Sequence, residues 1–369
     1  MVMRRIIIIL IIIIIIITLI IYLMTLTHFD LPKPIDQARL DQLRTTAGKG
    51  PVLVLTHDSP DPDALASGKG LFTLLERWDI PAKLVYFGLI SRAENRAVLN
   101  LLTPDWQAED SLPDLAGYTA VALVDTQPGA GNNRFPLDRV PDIVIDHHYP
   151  RWDALRPVRY VDVRPELGAT ASLVYQYLEA AGINPDPILA TALFYGLQTD
   201  TRGLARDASH EDEAIYLKLL SWIDRPRLIR VEQAGLSRDY FRALSSGLAA
   251  ARVFGRCVIA NLGEMQRPDL PAEMADELIR LESARAVLCF GVFGGQLQLS
   301  LRTEPSGQDA GLLVQKVIGS LGKAGGHGTM GGGQVSLQQR SLAELTTEIE
   351  KRFLDLMGEK GSGSPLIGV

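Results

Sequence analysis

Short apolar runs alternate with helical patterns along the first two thirds of the chain. The runs are VLVL (52–55), KLVYFG (83–88), TAVALVD (119–125) and DIVID (142–146). Their nearly continuous apolar character is typical of strands that are buried on both faces. Apolar positions recur at helical spacing over 64–77, 93–102, 168–182, 187–200 and 211–223. This alternation predicts an α/β domain, in which helices cover both faces of a parallel sheet.

The pattern changes near Ser245. RCVIANL, AVLCFGVF and QLQLSLR predict short strands with tight turns, and a helix over 310–321 follows. A glycine-rich loop, GKAGGHGTMGGGQVSL, then precedes a last helix over Leu342–Met357. We therefore expect a second, smaller α+β domain. The predicted boundaries are 35–240 for the first domain, 241–255 for a linker, 256–357 for the second domain and 358–369 for a disordered tail.

The first 34 residues contain a low-complexity segment rich in isoleucine. Its uncharged apolar span, Ile6–Leu26, is long enough to cross a bilayer, which takes ~20 residues. A start at Met1 predicts a transmembrane helix and membrane insertion; a start at Met24 predicts a soluble cytoplasmic protein. Basic residues flank the span on both sides, so its orientation is not determined. Both alternatives stay open, and in either the catalytic domain is expected in the cytoplasm.

The composition limits the class of partner. The 369 residues are 47% hydrophobic and 22% charged, as in ordinary globular proteins, and the formal net charge is −6. An acidic chain does not coat long duplex nucleic acid through a basic surface, although it can bind a small anionic substrate locally. Cys257 and Cys289 each lie in an apolar run, which predicts buried core cysteines rather than a zinc site.

Candidate metal ligands follow three of the predicted strands. His57 follows VLVL, Asp125 follows AVALV, and Asp146-His147-His148 ends IVIDHH. The carboxyl ends of parallel strands meet at one edge of a sheet, where α/β proteins place their sites. Each residue alone could be an ordinary cap or turn residue. However, three of the six histidines of the chain fall at these strand ends.

The stretch THDSPDPD adds His57, Asp61 and Asp63, and Asp200 ends an apolar helix. So many carboxylates in one place would repel one another unless cations lay between them. A set of Asp and His without cysteine suits Mn²⁺, with Mg²⁺, Co²⁺ or Fe²⁺ as alternatives. The ligands suffice for two divalent cations that share a carboxylate, an arrangement suited to displacement at phosphorus.

These residues resemble the DHH phosphoesterases, named for the triplet that stands here at 146–148. Four motifs occur in order: THDSPDPD, Val124-Asp125, DHH and Thr199-Asp200-Thr201. The stretch AGGH (324–327) resembles the glycine-rich loop of the associated DHHA1 domain, and the resemblance covers about residues 35–340. It is closer to the nanoRNase and pAp-phosphatase branch, and to RecJ-like exonucleases, than to the family II pyrophosphatases.

The resemblance implies a role for each residue. His57, Asp61 and Asp125 would hold one Mn²⁺, and Asp63, Asp125, His147 and Asp200 the other, with Asp125 bridging. Asp146 would orient His147, and His148 would face the scissile phosphate as a hydrogen-bond donor or acid. Binding of the remote phosphate or sugar would fall to Arg302 and to the loop of Gly325, Gly326 and His327 in the second domain. Apart from the resemblance, Arg202 or Arg206 after TDT could contact phosphate or could be an ordinary solvated arginine.

The implied function is a manganese-dependent phosphoesterase with a two-metal hydroxide mechanism. Its substrates would be short oligoribonucleotides or 3′-phosphoadenosine 5′-phosphate. A cyclic or linear dinucleotide phosphodiesterase and a polyphosphate or pyrophosphate hydrolase are alternatives. A non-catalytic, membrane-tethered nucleotide sensor is an alternative of another class. A homodimer is left open.

Two features near the motifs depart from this pattern or have no role in it. Relatives that cut oligonucleotides usually carry glycine and an aromatic residue after TDT, whereas this chain continues Arg202-Gly203-Leu204. This stretch therefore contains no aromatic side chain on which a base could stack. Asp58 lies inside the first motif without an assigned role, and we expect it to be solvated.

Overall fold

The computed structural model of the protein describes residues 35–149, 153–337 and 340–367. The apolar span Ile6–Leu26 lies outside these residues, and no described helix is both long and apolar enough to cross a membrane. The chain divides into two compact units. The first comprises the described residues up to Ile90 and those within 97–232, and the second comprises Ser91–Arg96 and the described residues from Gln233 onward.

The first unit contains a six-stranded sheet in which every pair of neighbours is parallel. Its order is β3-β2-β1-β4-β5-β6, so the direction of strand progression reverses between β1 and β4. Such a reversal leaves a crevice beside the carboxyl ends of the two strands. The strands are β1 Val52–Leu55, β2 Ala82–Tyr86, β3 Gln107–Ala108, β4 Ala120–Val124, β5 Ile143–Asp146 and β6 Tyr160–Val163.

Seven described helices belong to or border this unit. They are α1 Gln37–Ala47, α2 Pro62–Arg77, α3 Ala93–Leu101, α4 Thr170–Ala180, α5 Pro187–Asp200, α6 His210–Leu220 and α7 Arg225–Glu232. Both α2 and α5 begin with proline, which suits the first helical position because its missing N–H has no partner there anyway. Asp61 and Asp186 cap these two helices through their side chains. The first motif therefore ends by starting a helix.

The two faces of the parallel sheet are covered differently. Val52 and Val54 of β1 belong to a large core shared with the helices. Leu53 and Leu55 point to the other face, where residues such as Phe135 pack against them. We expected helices on both faces, but short 3₁₀ turns and loops cover this second one. The connection from β4 to β5 contains the run PGAGNN, which favours turns over a helix.

The second unit is built on a seven-stranded mixed sheet in the order β11-β12-β10-β9-β8-β7-β13. Only the β8–β9 pair is parallel. Two core clusters flank the sheet, one containing residues of α9 and the other containing residues of α10 and α11. The elements are α8 Arg238–Ala250, β7 Ala251–Phe254, β8 Cys257–Glu264, α9 Leu270–Leu278, β9 Ala286–Phe293, β10 Gln296–Thr303, α10 Ala310–Ile318, β11 Lys323–His327, β12 Met330–Ser336, α11 Leu342–Met357 and β13 Ser364–Pro365.

The prediction of a glycine-rich loop after α10 is wrong, because this stretch forms the hairpin β11–β12. Gly325 pairs with Gly332, and Gly326 pairs with Gly331. A Cβ atom on Gly331 would collide with the carbonyl oxygen of Ala310 at the start of α10. The glycines thus let α10 lie close against the hairpin.

The α/β class, the parallel sheet and a second sheet-containing unit are confirmed. Cys257 and Cys289 are both buried and free, as expected. The sequence patterns did not predict β6, α7, α8 or α9. In the predicted tail, Ser364 and Pro365 form β13, which pairs with β7.

Candidate metal centre

Three neighbouring strands deliver side chains to one edge of the parallel sheet. His57 lies two residues after β1, Asp125 directly follows β4, and Asp146 ends β5. Because β1, β4 and β5 are adjacent in the sheet, these side chains come together. Asp200, at the end of α5, joins them from a helix.

One group of donor atoms consists of His57, Asp61 and Asp125. The Nε2 atom of His57 lies 3.5 Å from Oδ2 of Asp125 and 3.8 Å from Oδ1 of Asp61. The other ring nitrogen, Nδ1, lies 3.0 Å from the carbonyl oxygen of Asp58. A carbonyl oxygen only accepts, so Nδ1 carries the proton in the neutral ring. Nε2 then presents a lone pair to the carboxylates.

A second group consists of Asp63, His147 and Asp200. The Nε2 atom of His147 lies 3.5 Å from Oδ2 of Asp200 and 3.8 Å from Oδ1 of Asp125. Its Nδ1 atom lies 3.1 Å from the carbonyl oxygen of Leu167. Nε2 is buried and has no hydrogen-bond partner among the described residues. A buried ring nitrogen that faces carboxylates is well placed to act as a metal ligand.

The carboxylate of Asp125 contacts the histidines of both groups. Its Oδ2 atom faces His57 and its Oδ1 atom faces His147. The residue is 1% exposed and adopts a left-handed backbone conformation with φ +60°, while its N–H donates to the carbonyl oxygen of Ile145. Left-handed backbone is uncommon for a residue with a side chain and often marks a functional site. This conformation holds one carboxylate between both groups.

Two carboxylates of the site, those of Asp63 and Asp200, have raised pKa values. Burial, with the charges of Asp125 and Asp200, raises the pKa of Asp63 well above its usual value. Burial and the charge of Asp61 raise the pKa of Asp200 to about 6. Burial by itself lowers the pKa of His57, but Asp125 and Asp61 outweigh it and raise that pKa. The buried carboxylates of the site thus favour bound positive charge, either as protons or as metal ions.

The donor set fits divalent cations. The separations of 3.5 Å and 3.8 Å around His57 Nε2 exceed those of hydrogen bonds. Ligands of an octahedral ion at ~2.1 Å lie ~3 Å apart when adjacent and ~4 Å apart when opposite. Imidazole and carboxylate donors without a thiolate suit first-row divalent metals. Among the described residues, three groups of donor atoms could bind a metal ion: the two above and a third formed by Asp125, His147 and His148.

His148 belongs to a different hydrogen-bonded chain. Its Nδ1 atom lies 2.8 Å from Oδ1 of Asp146, and Oδ2 of Asp146 accepts from Nε2 of Gln127 at 2.6 Å. Burial by itself raises the pKa of Asp146, but the histidines and Gln127 outweigh it and lower that pKa. The side chain of His148 is 40% exposed and that of His147 only 11%. His148 is thus the imidazole that a substrate from solvent can reach.

The expected pairing of Asp146 with His147 is therefore wrong. Asp146 orients His148, because the Nδ1 atom of His147 already faces the carbonyl oxygen of Leu167. Asp58 also differs from the solvated residue that we expected. Its Oδ2 atom lies 3.6 Å from Nε of Arg134, and burial raises its pKa.

The predicted substrate-binding residues are distributed over both units. Arg302, in the second unit, is buried and donates to Asp276 at 2.6 Å and to Ser300 at 2.8 Å. Its charge is therefore already matched by a carboxylate. Gly325, Gly326 and His327 are part of strand β11 in the same unit. Arg202 is exposed in the turn after α5, in the first unit.

Three residues near the site escaped the reasoning from sequence. The hydroxyl of Thr170 donates to Oδ1 of Asp125 at 2.7 Å, and Gln127 donates to Asp146 as described above. Tyr149 directly follows the DHH triplet and is 81% exposed. Tyr149 could have been noticed as an aromatic residue beside a motif. Thr170 carried a weaker signal, a helix start at GAT that lacks a capping residue at Ala169.

The sequence is similar to several known proteins over all or part of its length. The chain is 35% identical over 323 residues to an uncharacterized protein of Methanocaldococcus jannaschii, covering 85% of this chain and 65% of that protein. It is 29% identical over 177 residues to the bifunctional oligoribonuclease and PAP phosphatase NrnA of Thermus thermophilus, covering 46% and 49%. It is 26% identical over 185 residues to a probable manganese-dependent inorganic pyrophosphatase of Streptococcus pyogenes, covering 46% and 54%. The chain thus spans about half to two thirds of the length of these relatives.

The fold has a counterpart among solved structures. An exopolyphosphatase-related protein of Bacteroides fragilis superposes with a TM-score of 0.69 at 18% identity, covering 89% of this chain and 99% of that one. At this identity the likeness concerns the fold alone. The model of the family described as "DHH family, N-terminal domain" matches residues 51–197. This range contains His57, Asp125 and the 146–148 triplet, so this part of the chain matches the N-terminal domain of the DHH family.

Proposed function

We propose that this protein is a divalent-metal-dependent hydrolase of phosphoester bonds. The observation that carries this proposal is the pair of donor groups on either side of the Asp125 carboxylate, whose Oδ2 faces His57 and whose Oδ1 faces His147. In them, the lone pairs of His57 Nε2 and His147 Nε2 face carboxylates. Mutual repulsion of the carboxylates makes such an arrangement unfavourable without bound cations, and two divalent cations would make it favourable.

His57, Asp61 and Asp125 would hold one cation, and Asp63, Asp125, His147 and Asp200 the other. Two bound cations would supply an activated water and neutralise charge at the reacting phosphorus. His148 would contact the scissile phosphate or the leaving oxygen, since it is the more exposed imidazole. Its Nδ1 atom is held by Asp146, and Gln127 in turn holds Asp146. These two hydrogen bonds would fix the orientation of the His148 ring with respect to a bound substrate.

Manganese is the metal that we propose. The donors are imidazole nitrogens and carboxylate oxygens, a mixed set that suits Mn²⁺ better than Ca²⁺ or a thiolate-bound metal. The relative from Streptococcus pyogenes is named as manganese-dependent. Mg²⁺ and Co²⁺ are the competing ions that a titration should include.

We further propose that the substrate is a small nucleotide, either a short oligoribonucleotide or 3′-phosphoadenosine 5′-phosphate. The relative from Thermus thermophilus is named for both activities. Tyr149, exposed beside His148, offers a ring on which a base can stack, which the stretch after TDT does not. Inorganic pyrophosphate has no base and would not use this ring.

The test is hydrolysis by the full chain across a panel of phosphorylated substrates. The panel contains 3′-phosphoadenosine 5′-phosphate, di- to pentaribonucleotides, cyclic dinucleotides, pyrophosphate and polyphosphate, each with Mn²⁺, Mg²⁺ or Co²⁺. Asp125→Asn should abolish turnover, whereas Asp58→Asn, in the same site region without a metal role, should retain most of it.

The pattern of results separates the alternatives. Release of mononucleotide or phosphate from nucleotides supports the proposal, and release only from pyrophosphate or polyphosphate replaces the substrate class. Hydrolysis of nothing on the panel, together with tight nucleotide binding, would instead favour a non-catalytic sensor.

A further inference from the structure

The segment Leu167–Ala171, here termed the LGATA segment, contacts three of the proposed metal ligands. The carbonyl oxygen of Leu167 lies 3.1 Å from Nδ1 of His147. The hydroxyl of Thr170 donates to Oδ1 of Asp125 at 2.7 Å. The backbone N–H groups of Thr170 and Ala171 donate to Oδ2 and Oδ1 of Asp63, each at 2.7 Å. One short segment thus bonds to ligands that arrive from three separate parts of the first unit.

The start of α4 is built to receive Asp63. Position 169, the N-cap, is alanine and makes no side-chain capping bond, although Ser, Thr, Asp and Asn are strongly preferred there. The N–H groups of Thr170 and Ala171 lie in the first turn of α4, so they have no acceptor within the helix. Because both residues are fully buried, water cannot serve as the acceptor instead. The carboxylate of Asp63 takes the place of the missing cap. Bonding to both of its oxygens fixes the plane of this carboxylate.

The hydroxyl of Thr170 acts on the carboxylate of Asp125. Oδ1 of Asp125 faces His147 at 3.8 Å, while Oδ2 faces His57 at 3.5 Å. This split is needed if one carboxylate is to bridge two ions. A donor on Oδ1 prevents rotation of the carboxylate about its Cβ–Cγ bond. Outer residues that orient metal ligands in this way commonly affect metal affinity as much as 10–100-fold.

The segment is itself anchored away from the ligands. The N–H of Gly168 donates to Oδ2 of Asp212 at 2.8 Å, and Asp212 is fully buried at the start of α6. The same oxygen accepts from the N–H and the hydroxyl of Ser209, at 2.8 Å and 2.6 Å. A Cβ atom on Gly168 would lie 2.9 Å from the carbonyl oxygen of Asp207, so the segment also fits tightly. It is therefore held firmly enough to position what it contacts.

We propose that Thr170 is a positioning residue of the metal centre. Its hydroxyl sets the bridging orientation of Asp125, and its backbone N–H holds Asp63. The role rests on the proposed function, because it has meaning only if metal ions bind at these ligands. No side chain of the LGATA segment other than that of Thr170 donates a hydrogen bond to a proposed ligand among the described residues.

The test compares three variants of the full chain. Thr170→Val removes the hydroxyl at nearly constant shape, and Thr170→Ser keeps it. Thr191→Val is the matched control, because Thr191 is equally buried but its hydroxyl donates to the carbonyl oxygen of Pro187 in α5. Mn²⁺ affinity is measured by electron paramagnetic resonance, together with kcat at saturating Mn²⁺ and thermal unfolding without metal. If Thr170→Val does not fold, Thr170→Ala replaces it.

We expect Thr170→Val to weaken Mn²⁺ binding ~10–100-fold. Thr170→Ser and Thr191→Val should stay within about 3-fold of the wild type, since neither removes a donor to a ligand. Unchanged Mn²⁺ affinity in folded Thr170→Val overturns the inference while leaving the proposed function intact. Equal losses in Thr191→Val would mean that the effect is only structural, which also overturns it. A wild type that binds no Mn²⁺ overturns the proposed function itself.

Discussion

The carboxyl edge of the parallel sheet and the hairpin β11–β12 are the two places where the sequence predicts contacts with a phosphorylated substrate. At the edge, His57, Asp125 and His147 converge with their ring nitrogens and carboxylate oxygens facing one another. At the hairpin, Gly326 and Gly331 pair in the strand ladder, and a Cβ atom on Gly331 would collide with Ala310 of α10.

The two regions differ in how specifically their residue types indicate a functional site. A buried carboxylate such as Asp63, beside Asp125 and Asp200, raises the energy of the protein unless something compensates it. Hydrogen bonds from Thr170 and Ala171 compensate it only in part, since the pKa of Asp63 is still raised, and a bound cation would compensate the rest. A glycine can serve a turn, a close packing contact or a ligand equally well. The residues that cost most to bury are therefore the better guide to a site.

The largest expected effect comes from the first motif. Asp61→Ala and Asp63→Ala should each lower turnover more than about 100-fold, beyond the loss typical of residues that only orient ligands. Asp58→Ala should be much milder, because Asp58 pairs with Arg134 and belongs to neither donor group. Steady-state kinetics at saturating Mn²⁺ measure this contrast. Equal damage from all three variants would undo the division of roles within the motif.

Gly331→Val should affect stability and not metal binding. The new side chain would collide with Ala310 and Val314 of α10, and overpacking of this kind costs ~1–3 kcal/mol. Gly325→Ala is the control, because a Cβ atom there meets nothing within 4 Å. Chemical denaturation and Mn²⁺ titration are the measurements. Normal stability with lost turnover in Gly331→Val would show that the glycine serves the substrate.

Tyr149→Ala should raise the KM for nucleotide substrates about 10-fold, since stacking on a base contributes ~1–3 kcal/mol. Tyr149→Phe should behave like the wild type because it keeps the ring. Hydrolysis of pyrophosphate, if it occurs, should not respond. A uniform rise in KM across substrates with and without a base would contradict a stacking role.

The smallest effect is a pH dependence of the melting temperature. The pKa of Asp200 is raised to about 6, and those of His57 and His147 are raised as well. Groups with a raised pKa bind more protons in the native state, so the metal-free protein should lose stability as pH rises from 5 to 8. Mn²⁺ binds the deprotonated ligands and should stabilise more at pH 8 than at pH 5.5, by at least ~2 °C. Differential scanning calorimetry with and without Mn²⁺ measures both trends, and an equal Mn²⁺ effect at the two pH values would contradict them.

The sequence predicts several candidate ligands because they lie at or just after the end of a strongly apolar element. VLVL, AVALV and IVID predict strands, and a parallel sheet brings their carboxyl ends together without further information. The helix PILATALFYGLQTD ends at Asp200 as expected. These inferences need only periodicity and topology.

The orientation of each side chain could not be predicted in the same way. Asp146 pairs with His148 because a carbonyl oxygen 20 residues later, that of Leu167, faces the other histidine. Thr170 escaped notice because GATAS predicts only the start of a helix. Its role depends on Asp63, which lies 107 residues earlier. Such contacts follow from the packing of α4 against α2 and the sheet, which local patterns do not encode.

The central claim is that Asp125 bridges two metal ions at the carboxyl edge of the parallel sheet. Crystals of the full chain grown with MnCl₂ and measured at the manganese absorption edge test it most directly. Two anomalous peaks are expected, one for each manganese ion. One should lie among His57, Asp61 and Asp125, and the other among Asp63, Asp125, His147 and Asp200. A single peak that Asp125 does not contact, or no peak at this edge, would contradict it.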